Sequence, residues 1–204
     1  MPRTGRPRSF DDDHVVNGAK DVFWRRGYAA TSLRELKDEL GVLPGSLYGA
    51  FGDKHALFLR ALERYADDSR EAASAVQSGG PVLPRLGELL GDVLAAAQAT
   101  PGRGCMLGNT ATELLPLDEV AGRVVGGAFG ALEKAIEQAL SVAQRTGEIR
   151  EDLDCGAYAR LLVALVQGLH VVARAESDPH RLDDVVHAAL ASLTYGPGSP
   201  ETTT

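Results

Sequence analysis

Cysteine is scarce in this chain: Cys105 and Cys155 are the two among 204 residues. That excludes a disulfide-stapled scaffold, and without a C-x-x-C pair it excludes the common zinc patterns. Aromatic residues make up only 5%, and the valines fall mostly at helical spacing, so there is little material for sheets. No run of 18 uninterrupted apolar residues exists, so no membrane span is expected. The opening Met1-Pro2-Arg3-Thr4-Gly5-Arg6-Pro7-Arg8 has no apolar h-region, so it does not read as a secretory signal. A soluble, cytoplasmic protein is the expectation. No nucleophile elbow, HExxH, P-loop or dinucleotide fingerprint occurs, which leaves an enzyme reading without residues to carry it. The five histidines, at 14, 55, 170, 180 and 187, are scattered. His180 and His187 are seven apart but have no partner at ligand spacing, so neither a metal site nor a cofactor is expected.

What is present is a globular composition, 44% apolar and 24% charged. The net charge of −7 hides an asymmetry. Residues 1–54 carry nine Lys/Arg and eight Asp/Glu, while residues 55–204 carry twelve and twenty. A globally acidic protein does not attract a polyanion in bulk. Any contact with nucleic acid falls to the N-terminal quarter.

Helical signals run throughout, and the periodicity predicts about nine helices in an all-α fold. The first spans about 11–26, with Asp11-Asp12-Asp13 at the positive end of its dipole. The second starts at Ser32, where Ser32-x-x-Glu35 is a capping box, and stops at Gly41. A short third helix begins at Pro44 and ends at Phe51-Gly52. Asp53 caps a long fourth, reaching about 78. Further helices are predicted near 83–99, 105–115, 117–146, 155–176 and 179–195. The seventh contains Gly122, Gly126, Gly127 and Gly130, which predicts close helix packing or a deformable segment. The expected organisation is an N-terminal arm and three-helix unit over 1–54, a second helical domain over 55–196 and a disordered tail over 197–204.

The informative stretch is Thr31 to Lys54, TSLRELKDELGVLPGSLYGAFGDK. Two short helices meet across a three-residue turn containing Gly, the geometry of a helix-turn-helix whose second helix enters the major groove. Leu36, Leu40, Val42 and Leu47 are spaced to pack the pair. Pro44, Gly45, Ser46, Tyr48 and Gly49 are left on or near the exposed face.

These residues, together with Phe23, Gly27-Tyr28 and Phe51-Gly52-Asp53-Lys54, resemble the DNA-binding domain of the TetR/AcrR family of one-component transcriptional regulators. The resemblance covers about fifty residues. It implies three DNA-binding helices joined by a fourth to a divergent ligand-binding and dimerisation domain. It implies phosphate contacts from Thr31, Ser32, Lys54 and the Tyr48 hydroxyl. Pro44, Gly45 and Ser46 lie at the base-facing start of the recognition helix, and either Arg34 or Lys37 is expected to reach a phosphate. Two departures weaken direct readout. Gly49-Ala50 stands where relatives often carry a larger or basic pair, and Leu43-Pro44 where a polar residue is common. Leu43 or Pro44 can touch thymine methyls, and Arg3, Arg6 and Arg8 are expected to add contacts from the minor groove.

The segment Gly104-Cys105-Met106-Leu107-Gly108-Asn109-Thr110-Ala111-Thr112-Glu113 is similar to a motif of one subgroup of that family, in which this helix lines the ligand cavity. Asn109 and Glu113, four apart, share a face. They are candidates either for holding a ligand or for satisfying backbone groups near Gly102–Gly104. Phe58, Tyr65, Phe129, Gln167 and His170 sit on stretches facing the same presumed cavity. Cys105, at a helix start, is either a small buried residue or a thiolate that senses electrophiles.

The last two helices carry apolar stripes, Leu161, Leu165, Leu169 and Val172 on one and Val185, Val186, Leu190 and Leu193 on the other. By resemblance they form a four-helix bundle between two subunits. A twofold dimer suits a palindromic operator. The expected function is a homodimeric repressor of double-stranded DNA, released by a small-molecule effector. A regulator without ligand control, and an all-α protein unrelated to DNA, are the rivals.

Overall fold

A computed structural model describes residues 12–42, 44–176 and 178–194. Among them are nine α-helices and no strand: α1 (Asp12–Arg26), α2 (Leu33–Leu40), α3 (Pro44–Phe51), α4 (Lys54–Ala75), α5 (Val82–Ala99), α6 (Met106–Leu114), α7 (Glu119–Arg145), α8 (Cys155–Val172) and α9 (Pro179–Ala191). The arm with Arg3, Arg6 and Arg8, Leu43 of the interhelical turn and the 197–204 tail lie outside the described residues.

Local chemistry explains the boundaries. In α2 the Ser32 side chain accepts from the Glu35 N–H, and the Glu35 carboxylate accepts from the Ser32 N–H at 2.7 Å. Gly41 then takes the left-handed conformation that ends the helix, at φ 63°. Asp53, Asp118, Asp154 and Asp178 each accept backbone N–H bonds at the starts of α4, α7, α8 and α9. Three helices stop earlier than the periodicity predicts, α4 at Ala75, α8 at Val172 and α9 at Ala191. Past those ends the backbone bonds tighten to the i−3 turn pattern, as at Gln77, Ser78, Arg174 and Thr194. The glycines of α7 do not interrupt it. Gly122 has the Leu115 side chain close by, but Gly126 and Gly130 face open space, so close packing explains only the first.

Helix α4 is the spine, packed against both α1 and α7. One core joins Val15, Val22 and Phe23 of α1, Leu36 of α2 and Leu47 of α3 to Leu57, Phe58 and Leu62 of α4. It then continues into Met106 and Leu107 of α6 and Val125 of α7. The apolar interior therefore runs on past residue 54. Two further clusters join α5, α8 and α9, the larger with α7 through Ile136 and Leu140. By length and composition alone, α8 is apolar enough to cross a membrane. Its Tyr158, Ala159, Leu162, Val166 and Leu169 are instead buried among neighbouring helices.

Candidate functional site

The α2–α3 pair is closed by Leu36 and Leu47, both buried, with Leu40 and Val42 packed at the edge. Ion pairs tie α2 to the end of α1: Arg25 to Glu39 at 2.6 Å, and Arg26 to both Glu35 and Glu39. Each exposed pair contributes little, roughly 0–1 kcal/mol. The Glu35 carboxyl is held below its usual range by the Ser32 N–H and hydroxyl, and Glu39 by the hydrogen bond from Arg25.

The outer face of α3 has low relief. Gly45 and Gly49 are exposed, with nothing near the position a side chain would occupy. Tyr48 is 50% exposed and Ser46 half-buried. Pro44 opens the helix. Arg34 is 89% exposed, with only a loose contact to Asp38, and the Lys37 ammonium lies 3.7 Å from Asp38. Ser32 is exposed, with its hydroxyl engaged in the capping box: the oxygen accepts from the Glu35 N–H and the hydroxyl also holds the Glu35 carboxylate. The Lys54 ammonium sits 4.2 Å above the Tyr28 ring at the start of α4. Thr31 is a correction. It is 1% exposed and its hydroxyl donates to the Gly27 carbonyl at 2.6 Å, so it braces the α1–α2 turn and is not placed to meet a phosphate.

A chamber of about 390 Å³ lies between α4, α5, α7 and α8. Its walls include Val93, Leu107, Phe129, Leu132 and Val166, with Tyr65, Cys105, Gln167 and His170 at one side and Arg85, Glu88 and Asp92 at the other. A second chamber of about 380 Å³ shares Cys105, Phe129, Gln167 and His170 with it and adds Asn109 and Arg174. Five expected residues, Tyr65, Cys105, Phe129, Gln167 and His170, thus line the first chamber, and Asn109 lines the second. Phe58 does not. It is buried edge-on against Phe23, 5.2 Å between centroids, because core packing took the only apolar face α4 offers there. Trp24 and Arg174, which the periodicity did not single out, do line the chambers. Both sit near helix ends, where a side chain's direction depends on the next turn of chain.

Cys105 is buried, and the Tyr65 hydroxyl lies 3.8 Å from its sulfur. Burial, and then the neighbouring thiol, push the Tyr65 phenol far up, so it stays a donor. Arg103 does not serve Cys105. Its guanidinium stacks 3.7 Å over the Trp24 ring and pairs with Asp21 at 2.6 Å.

The Gly104–Glu113 motif makes a strut between the two halves. Glu113 turns away from the first chamber, and its two carboxylate oxygens accept from the backbone N–H groups of Tyr28 and Ala29 at 2.9 and 2.6 Å. The donors sit one and two residues beyond Gly27, whose positive φ presents them to the carboxylate. The expectation that Glu113 holds a ligand in the main cavity is therefore corrected. Asn109 donates to the Arg103 carbonyl at 3.0 Å and accepts from Arg174. The Trp24 indole donates to the Gly104 carbonyl at 2.7 Å. Gly104, at φ 61°, leaves room for the Arg174 guanidinium, which a β-carbon there would strike at 2.6 Å. A second tie pairs His55 Nε2 with Asp118 at 2.6 Å across the α4–α7 junction.

The two apolar stripes divide. Leu161 is 56% exposed, and Val172 and Val185 are also open. Leu165 and Leu190 are half-buried. Leu169, Val186 and Leu193 are a further correction: they are buried within the chain, where α5 packs between the stripes and takes their inner edges.

Comparison with known proteins agrees with this arrangement. Residues 15–61 match the family described as bacterial regulatory proteins, tetR family, and residues 82–189 match the tetracyclin repressor-like C-terminal domain. The chain is 32% identical over 192 residues to the uncharacterized HTH-type transcriptional regulator YezE of Bacillus subtilis, covering 93% of this chain and 99% of that one. It is 30% identical to the HTH-type transcriptional repressor ComR of Escherichia coli, covering 91% and 90%. Among solved structures it is similar to a cysteine mutant of the TetR family regulator CifR complexed with 26-base-pair operator DNA. That match has a TM-score of 0.79 and 30% identity, and covers 93% of this chain and 100% of CifR. Family and relatives are transcriptional regulators and not enzymes. The chain, with its helix-turn-helix on α2 and α3 and its all-helical second half, belongs to the TetR family of transcriptional regulators.

Proposed function

We propose that the protein is a homodimeric repressor that binds a palindromic operator through α3 and lets go when a small molecule fills its chambers. The observation that carries this reading is the separation of two surfaces. A low-relief helix is presented to solvent at one end, and a lined cavity lies in the other half, joined through α4 and α6. Pro44, Gly45, Ser46 and Tyr48 meet the groove. Ser32, Lys54 and one of Arg34 and Lys37 hold phosphates, and Leu43 with the Arg3, Arg6 and Arg8 arm adds contacts from the residues that precede each helix. Open apolar residues on α8 and α9, Leu161, Val172 and Val185, meet their counterparts in a second copy, setting two recognition helices about 34–36 Å apart. The operational division remains 1–54 for DNA and 55–196 for effector and dimer, with α4 shared. The setting is the bacterial cytoplasm, where the operator is.

The chamber's volume falls within the roughly 300–1,000 Å³ of small-molecule sites, which favours effector control over a regulator without it. The Gly104–Glu113 segment fits the subgroup motif, with its polar residues acting as the strut rather than as ligand contacts. The test is an electrophoretic shift on the DNA upstream of the protein's own gene, alongside sedimentation of the free protein. A dimer that shifts this DNA at moderate salt and loses affinity steeply as salt rises supports the reading. A monomer, or equal affinity for unrelated duplex, overturns it.

A further inference from the structure

We infer that the effector is a small organic acid: its apolar body fills the Phe129–Leu132–Val166 chamber, and its carboxylate is bound by Arg174. This rests on the effector reading above and names the ligand class. The walls are mostly hydrocarbon, so the ligand's body is too. The charged groups around them are asymmetric. Glu88 and Asp92 stand at the α5 side and repel an anion there. Arg85, on that side, already donates to the carbonyls of Val76, Gly80 and Pro81. Arg174 lines the adjoining chamber, which shares Phe129, Gln167 and His170 with the first, and has no carboxylate in ion-pair range among the described residues; its Nη2 donates there to the Arg103 carbonyl, at 3.1 Å, and to Asn109. Burial, and then the charge of Arg174, hold His170 below its usual range, so at neutral pH it adds a neutral hydrogen-bonding edge. A guanidinium with free donors beside an apolar chamber is the arrangement that selects a carboxylate.

The same arginine carries the signal. It grips the Arg103–Asn109 stretch that holds Trp24, through the Gly104 carbonyl and the Arg103 stack. A carboxylate competes for that guanidinium and draws it toward the chamber. The Arg103–Gly104 segment then loosens on Trp24, and with it the seating of α1 and the helix-turn-helix. The ligand acts by its difference in affinity for the gripped and released arrangements.

Trp24 is the chain's one tryptophan, so its fluorescence reads the junction directly. Full-length protein is titrated with hexanoate and cyclohexanecarboxylate, and with the matching neutral amides, with calorimetry as a second readout. The acids are expected to bind roughly ten- to a hundredfold tighter than the amides. Arg174→Gln is expected to abolish that preference, and Arg174→Lys to restore part of it. Circular dichroism establishes that both variants are folded. On labelled operator the acids, and not the amides, are expected to lower affinity. Equal binding of acids and amides, an unchanged preference in Arg174→Gln, or no response to any of the four up to about 1 mM overturns the proposal. Selective binding that leaves operator affinity unchanged overturns the coupling. Absence of DNA binding without ligand sinks the regulatory reading instead, and acid selectivity is still measured on the free protein.

Discussion

The outer faces of α3 and α8 are both bare, and they expose different chemistry. On α3 the exposed positions are Gly45, Gly49 and Tyr48, which offer backbone, a ring and one hydroxyl. On α8 they are Ala157, Arg160, Leu161, Ala164, Val171 and Val172, which offer hydrocarbon apart from one guanidinium paired with Glu133. Apolar surface left open at helical spacing gains free energy only by meeting more of the same. A low-relief polar face flanked by cations such as Arg34, Lys37 and Lys54 gains by meeting phosphates and base edges. Exposure alone therefore says little; the chemistry of what is exposed is what the proposed roles of the two helices rest on.

The sharpest way to break this contrast is to charge the α8 face. Leu161→Glu leaves the intrachain cores untouched, since Leu161 is 56% exposed, so the fold and circular dichroism are expected to stay unchanged. Two like charges facing each other across a twofold axis are expected to give monomers in sedimentation. Operator affinity then falls about a hundredfold or more, because the second half-site is no longer tethered to the first. A dimeric Leu161→Glu protein would move the interface to another surface.

Next in size is the strut. Glu113→Ala removes a carboxylate that accepts from the Tyr28 and Ala29 N–H groups. Charge-assisted bonds of this kind contribute about 2 kcal/mol. Chemical denaturation is expected to show that loss, and operator affinity is expected to fall as well, since the α1–α2 turn positions α2. A variant that loses stability but keeps full affinity would mean that the strut holds the two halves together without aligning them.

Much of the fold was legible beforehand because its determinants are local. Ser32 with Glu35, Asp53 as a cap, Pro44 at a first turn and the glycines at 27, 41 and 52 each fix a boundary through the backbone groups beside them. The exposed residues of α3 followed from the same spacing. What escaped was tertiary. Thr31 resembles a phosphate contact in sequence, but its hydroxyl is captured by Gly27 four residues back. Glu113 shares a helical face with Asn109, yet that face points at an interdomain turn. Leu169 and Leu161 belong to one stripe, and only the position of α5 decides which of them is buried. Arg174, beyond the end of α8, has no periodicity to announce it.

A smaller effect sharpens the α3 side. Tyr48→Phe removes one hydroxyl from a half-exposed ring and leaves its packing intact. Operator affinity is expected to fall up to tenfold, about 1.4 kcal/mol, with stability and dimerisation unchanged. Its salt slope is expected to match wild type, because no cation is lost, whereas Lys54→Gln is expected to lower the slope by about one. Equal slopes for the two variants would place Lys54 on Tyr28 alone.

The smallest expected change concerns the second tie. Asp118 accepts from the Val120 and Ala121 N–H groups at the start of α7 and faces His55. The hydrogen bond from Ala121, and then that from His55, hold its carboxyl below the usual range. A depressed folded-state value means that Asp118 stabilises fully above its unfolded value near 3.9, and loses that contribution as pH falls through the lower folded value. Asp118→Ala is therefore expected to cost about 1 kcal/mol at pH 7, the size of a lost helix cap. The gap between variant and wild type is expected to hold from pH 7 to 5 and to close in acid below about pH 4. Urea denaturation at several pH values measures it. A gap that persists undiminished at pH 3 would place the contribution in the packing of the Asp118 side chain and not in its carboxylate charge.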